Sequence, residues 1–234
     1  MGEKKSFSFK VTKEPTVSMN IYLVLLADTH GFHRRMKIPE GDIVIFAGDI
    51  CSYGDLSELD DFNSFLGRLP HTYKIVVAGN HDVCLELYPE QSKSRLTNAI
   101  YLQDQAIALL GIKFYGSPWQ PQFMNWAFNL PPGKALREKW DLIPMDTDIL
   151  ITHGPPYGFG DTNAEGERVG DRELAEAIGR IKPKINVFGH IHEGYGSYKS
   201  AGTTLINASI CDGMYMPTNP PVMVTLSVNK DAGK

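Results

Sequence analysis

The sequence predicts an α/β fold whose main strands are buried on both faces, and three observations carry that expectation. Short runs rich in Val, Ile and Leu recur at residues 22–27, 43–47, 75–78, 149–152 and 185–188. Continuous apolar runs of this length belong to strands covered on both sides, where alternating runs would mark half-exposed ones. Helical patterns separate several of these runs, as βαβ units require. Every run also ends in polar residues able to bind metal: Asp28 and His30, Gly48-Asp49, Gly79-Asn80-His81, His153, and Gly189-His190-Ile191-His192. Function in α/β folds gathers in the crevice beyond the carboxyl ends of the strands.

Taken in order, Met1-Gly2-Glu3-Lys4-Lys5-Ser6 matches the short pattern for N-terminal myristoylation. The stronger reading is a solvated tail leading into an alternating edge strand at 7–11, so residues 1–20 are an extension or edge strand. A single acyl chain would bind membranes only marginally. Leu56, Leu59, Phe62, Phe65, Leu66 and Leu69 have the spacing of a helix over 56–69 that packs on a sheet. Between 98 and 117 the pattern shifts to extended runs at 100–102, 106–110 and 113–115, split by Asp104 and Gly111, which predict hairpin strands. A second helix is expected over 171–181, with Glu173 in its first turn and Pro183 beyond its end. Runs at 195–198, 203–207 and 222–227 extend a second, partly antiparallel sheet. At 234 residues the whole chain, 1–234, suits one α/β domain that needs no staples.

Two segments fall outside ordinary core patterns. Residues 117–129 place Trp119, Phe123, Trp126 and Phe128 in a stretch broken by two prolines. Such a loop serves as a substrate wall, as a subunit contact in a homo-oligomer, or simply packs on its own domain. Residues 154–161 are rich in glycine and proline and demand a defined backbone path.

Composition narrows the partners. The net charge is −4 with 21% charged residues, so bulk charge makes no case for a nucleic-acid or membrane surface. Cys51, Cys84 and Cys211 are odd in number and lack C-x-x-C spacing, which argues against a disulfide framework and a thiolate zinc site. A reducing cytoplasm fits best. No apolar run approaches the ~20 residues of a membrane span, and no secretory leader is expected.

The chemistry follows from the donor types. Asp28 and His30 are two residues apart at a strand end, as are His190 and His192, so each pair can converge on one ion. Oxygen and imidazole donors without thiolate suit Mn, Fe or Zn, with Ni also open, over Ca or Mg. Asp49 has two carboxylate oxygens and can bridge two ions. Asp28, His30, Asp49, Asn80, His153, His190 and His192 together exceed the needs of one tetrahedral ion. Two ions ~3.5–4 Å apart would clamp an in-line displacement at phosphorus. Taken alone, a histidine at a strand end is usually a satisfied or solvated side chain, and Gly-Asp is a common turn. The ordered series is what points to metal. His33 and His71 lack that context and read as structural.

The series Asp28-x-His30, Gly48-Asp49, Gly79-Asn80-His81-Asp82, His153 and Gly189-His190-x-His192 resembles the calcineurin-like metallophosphoesterase superfamily, with every motif present and in order. More narrowly, residues 116–121, Phe128-Asn129-Leu130, 208–212 and Asn219-Pro220-Pro221 resemble the branch of metallophosphoesterase-domain-containing proteins. The resemblance implies a four-layer sandwich, with two facing mixed β-sheets flanked by α-helices. It also implies that Asp28, His30 and His192 hold one ion, that Asn80, His153 and His190 hold the other, and that Asp49 bridges them. His81 would serve as general acid to the leaving oxygen, or stabilise transition-state charge.

One departure narrows the substrate. Protein serine/threonine phosphatases of the superfamily carry an aspartate and an arginine soon after the bridging aspartate, where this chain reads Ile50-Cys51-Ser52-Tyr53-Gly54. No arginine follows to grip a phosphoprotein, and the residue that orients His81 is left unassigned. The expected activity is a dinuclear phosphodiesterase, most readily with Mn2+, working by metal-bridged hydroxide attack. Its substrates would be small diesters such as 2′,3′- or 3′,5′-cyclic nucleotides, with an aromatic of the 117–129 loop stacked on the base. The alternatives are a phosphomonoesterase, a nuclease acting on nucleic-acid ends, or a binding scaffold on the same fold.

Overall fold

The computed structural model describes residues 18–229; the N-terminal pattern and the edge strand expected at 7–11 lie outside them. The first half contains β1 (Ser18–Leu26), β2 (Ile43–Ala47), α1 (Leu56–Leu66), β3 (Tyr73–Val77), α2 (Val83–Leu87), α3 (Pro89–Arg95), β4 (Ile100–Tyr101), β5 (Gln105–Leu109) and β6 (Ile112–Ser117). There follow β7 (Gln120–Pro121), β8 (Asn129–Leu130), α4 (Lys134–Trp140), β9 (Ile149–Thr152), α5 (Arg172–Ile181) and β10 (Ile185–Phe188). The last strands are β11 (Gly196–Ser200), β12 (Thr203–Asn207) and β13 (Val222–Asn229).

Two sheets form the centre. One runs β13-β1-β2-β3-β4 and the other β11-β12-β10-β9-β6-β5. β1 to β4 are mutually parallel, as are β6, β9, β10 and β12, while β13, β11 and β5 pair antiparallel at the edges. The parallel strands therefore present their carboxyl ends together.

Strand periodicity explains the layering. Leu23, Leu25, Ile43, Ile45, Ile75 and Val77 face Phe114, Ile149, Ile151, Ile185, Val187 and Ile206 of the other sheet in one buried cluster. The intervening residues Val24, Leu26, Val44, Phe46 and Val76 point the other way, onto Leu59, Phe62, Phe65 and Leu66 of α1. On the far side, Leu150, Phe188 and Leu205 pack against Leu136 and Trp140 of α4 and Leu174, Ala177, Ile178 and Ile181 of α5. The expected four-layer α/β sandwich with two mixed sheets is what the chain adopts.

The differences are local. The first helix stops at Leu66, and its Asp55 and Glu58 form a capping box. Asp171 caps the second helix and accepts from Glu173 N–H. Two expected members of the second sheet belong to the first. β4 pairs with β3, and β13 pairs with β1 over eight residue pairs from Ser18–Asn229 to Leu25–Val222. A lone strand pattern does not say which edge it will close, because any exposed edge offers the same row of backbone groups.

Candidate metal centre

The turns that follow β1, β2, β3, β9 and β10 bring all seven candidate ligands to one place. Three sets of donor atoms each lie within 4.8 Å of one another: Asp28, His30 and His192; His30, Asp49 and His81; and Asp49, His153 and His190. Asn80 joins them through its Oδ1, 2.9 Å from His153 Nε2. Asp49 stands between two histidine groups, with Oδ1 3.4 Å from His153 Nε2 and Oδ2 3.8 Å from His30 Nε2. His30 Nε2 and His192 Nε2 are 3.2 Å apart.

Glycine is required beside these side chains. A Cβ on Gly48, whose φ is +95°, would overlap the His153 ring, and one on Gly189 would overlap the Asp28 carboxylate. The backbone is held in the left-handed region at Asp28, His30, Asp49 and His190, with φ of 52°, 40°, 51° and 68°. Non-glycine residues persist there only where their surroundings over-determine them, as at functional sites.

Several supports aim the ligands. His153 Nδ1 lies 3.1 Å from the Ala47 carbonyl and His192 Nδ1 lies 2.9 Å from that of Asp212. A carbonyl only accepts, so each Nδ1 carries the hydrogen and each Nε2 turns to the centre, the arrangement seen for metal-bound imidazoles. Asp28 accepts the His190 N–H at 2.9 Å and the Ser209 hydroxyl at 2.5 Å. Buried Asp82 accepts the N–H groups of Gly79 at 2.7 Å and Cys51 at 2.9 Å, which ties the turn after β2 to the turn after β3.

The electrostatics call for a cation. Burial opposes charge on His153 and His192, yet Asp49 and Asp28 respectively raise both imidazoles to about 9. Burial likewise opposes ionisation of Asp49, but His153 holds it well below the usual carboxylate range. Burial and then the His153 charge push His190 down to about 3. The carboxylates thus draw positive charge into a cluster that burial tries to keep neutral. A divalent ion supplies that charge while displacing protons, and the oxygen and imidazole donors fit such an ion.

His81 lines the cleft and donates Nδ1–H to the Ser52 carbonyl at 2.7 Å, so a main-chain group supplies the orientation that the sequence left unassigned. Its backbone N–H donates to Asp49 Oδ1 at 2.8 Å.

The aromatic loop is corrected in part. Phe128 is fully buried and packs edge-on to Trp119 at 5.7 Å, and neither of the two lines the cleft. Trp119 is held in the scaffold by Asp104, its Nε1–H donating at 2.9 Å, with Lys139 4.2 Å over its ring. Trp126 stacks on His81 at 4.1 Å and backs that ring without lining the cleft. Phe123 does line it, edge-on to His190 at 5.7 Å. Asn129 staples the loop, donating to the carbonyls of Phe123 and Trp126 at 3.0 Å each.

Tyr215 joins the cleft without any signal in the sequence. Its ring stands 4.9 Å from both His30 and His192 on the cleft wall. It belongs to no strand or helix, so no periodicity marks it. His33 is held by Asp61 at 2.9 Å and His71 by the Pro39 carbonyl at 3.0 Å, and neither joins the donor groups of the centre. Gly154 and Pro155 contribute to the cleft wall, while Asp161 is buried and accepts from Gly158 N–H.

The model of the calcineurin-like phosphoesterase family matches residues 22–194, the span that carries every one of these ligands. The chain belongs to this family. Metallophosphoesterase domain-containing protein 1 of Homo sapiens is 44% identical, over 89% of this chain and 72% of that protein. A protein of Arcobacter nitrofigilis named "Probable glycerophosphodiester phosphodiesterase GpdQ" is 25% identical, over 83% of this chain and 68% of its own. The crystal structure of phosphopantetheinyl hydrolase from Mycobacterium tuberculosis shares the fold with a TM-score of 0.57 at 12% identity, covering 86% of this chain and 95% of that one. Membership in the calcineurin-like phosphoesterases supports a metal-dependent phosphoester hydrolase. No helix among the described residues is long and apolar enough to cross a membrane.

Proposed function

We propose that the chain is a dinuclear phosphodiesterase for small phosphate diesters, with 2′,3′- or 3′,5′-cyclic nucleotides as substrates and Mn2+ as the metal. The observation that carries this reading is Asp49, whose two oxygens face different histidine groups. Asp28, His30 and His192 would hold one ion, Asn80, His153 and His190 the other, and Asp49 both. Such ions polarise phosphoryl oxygens and activate water. His81, oriented from its Nδ1 side by Ser52, has Nε2 left to exchange a proton with the leaving oxygen.

The cleft favours a diester. Its volume is about 440 Å3, in the range of small-ligand sites. Its lining residues include Glu165 and Glu193 but neither lysine nor arginine. A monoester's second charge or a nucleic-acid backbone would find no lysine or arginine there, whereas the single charge of a diester needs only the metals. Phe123 and Tyr215, each about half exposed, offer the wall two rings for a flat base. The buried cysteines Cys51, Cys84 and Cys211, none in a disulfide, suit a reducing compartment such as the cytoplasm.

Metal-stripped protein resupplied with Mn2+ should hydrolyse bis-p-nitrophenyl phosphate and at least one cyclic AMP isomer, with kcat/KM well above that for p-nitrophenyl phosphate or short single-stranded DNA. Preference for the monoester, or no turnover with two ions bound per chain, would sink the proposal. Base stacking on an aromatic is worth about 1–3 kcal/mol. Phe123→Ala and Tyr215→Ala are therefore expected to raise KM for the cyclic nucleotide about fivefold or more. An unchanged KM would remove the substituted ring from the binding site.

A further inference from the structure

We propose that Glu58 is a positioning residue for His81, acting on it through the peptide group between Ser52 and Tyr53. The inference rests on the reading of His81 as the group that meets the leaving oxygen. Glu58 gathers four successive backbone N–H groups: Ser52 at 2.8 Å, Tyr53 at 3.0 Å, Gly54 at 2.8 Å and Asp55 at 3.1 Å. Only the Asp55 bond belongs to the capping box that starts α1. The other three fold the preceding loop around the carboxylate.

One of these bonds has chemical consequences at the site. The N–H of Tyr53 and the C=O of Ser52 are the two ends of a single peptide group. Its N–H donates to Glu58 Oε2, and its oxygen accepts the His81 Nδ1–H at 2.7 Å. The carboxylate's negative charge thus polarises the same amide that receives the imidazole hydrogen, and hydrogen bonds in such a chain strengthen one another. A carboxylate that never touches His81 thus fixes its tautomer and its ring orientation.

The loop has little freedom to respond otherwise. A Cβ at Gly54 would overlap Val83 and the His81 carbonyl, and Gly54 O accepts the Cys84 N–H at 3.1 Å. Ser52 Oγ donates to the His30 carbonyl at 2.7 Å. Glu58 is itself held below the usual carboxylate range by these backbone donors, against the pull of partial burial.

The test is a double-mutant cycle of Glu58→Gln and His81→Ala on the Mn2+-loaded chain, using methyl phenyl phosphate and methyl p-nitrophenyl phosphate. Glutamine keeps the shape and one acceptor oxygen but loses the charge. Glu58→Gln should lower kcat for the phenyl diester about tenfold at unchanged KM and metal content, a fraction of the 10²–10⁴ a general acid supplies. The loss should be smaller for p-nitrophenolate, which needs little protonation to leave. In the His81→Ala background it should vanish to within about twofold, since residues acting as one unit are not additive.

An equal loss with both substrates, or an undiminished loss without His81, would make Glu58 merely structural and overturn the relay alone. An unaffected kcat in His81→Ala would overturn both the relay and the reading beneath it. Independently of any variant, 15N resonances of the imidazoles in the Zn2+-loaded wild-type chain should place a hydrogen on His81 Nδ1. Finding Nδ1 unprotonated would overturn the relay.

Discussion

Asp49→Asn should lower Mn2+ binding from two ions per chain to one or fewer and cut diester turnover by about 10³-fold or more. The magnitude follows from metal ions stabilising the transition state by several kcal/mol, where about 4 kcal/mol is a factor of 10³. The side chain is almost fully buried, and its two oxygens face His153 and His30. An amide of the same shape turns an N–H2 toward one of those groups and removes the negative charge that draws cations into the cluster. It also disturbs the acceptor of the His81 N–H. Metal analysis after dialysis, read beside steady-state kinetics, checks both halves. Two retained ions with turnover within tenfold of wild type would mean that Asp49 does not join two metal positions.

His81→Ala is expected to lower kcat by about 10²–10⁴, the usual contribution of a general acid or base, while both ions stay bound. Its donor atom lies within 4.8 Å of those of His30 and Asp49, close enough that ligation is the rival role. The hydrogen bond to Ser52 and the stack against Trp126 favour a ring held for proton transfer. Metal content separates the two. A chain that loses an ion along with activity would make His81 a ligand, and one that keeps both ions at full turnover would leave it no chemical part.

The candidate ligands were legible in the sequence because parallel strands bring them together. Each apolar run must end at the same edge of its sheet, so residues just beyond Leu26, Ala47, Val77, Thr152 and Phe188 become neighbours whatever lies between them. That rule gathers Asp28, His30, Asp49, Asn80, His153, His190 and His192, and the resemblance to the metallophosphoesterases is what sets them apart from His81. The cleft wall was less legible. Phe123, Trp126 and Phe128 are similar residues in one loop, and the fold sends the first to the cleft, the second onto His81 and the third into the core. Apolar character predicts that each will be covered, without saying by what.

The sequence by itself determined the α/β class, the strands that carry the chemistry and the side chains at their ends, since those depend on residue type and period. Tertiary structure alone decided that β13 closes the first sheet beside β1, that Tyr215 walls the cleft, and that a peptide carbonyl steadies His81. The reason is the same in each case. Sheet edges and peptide groups are alike along the whole chain, so only their positions in space distinguish the ones that matter.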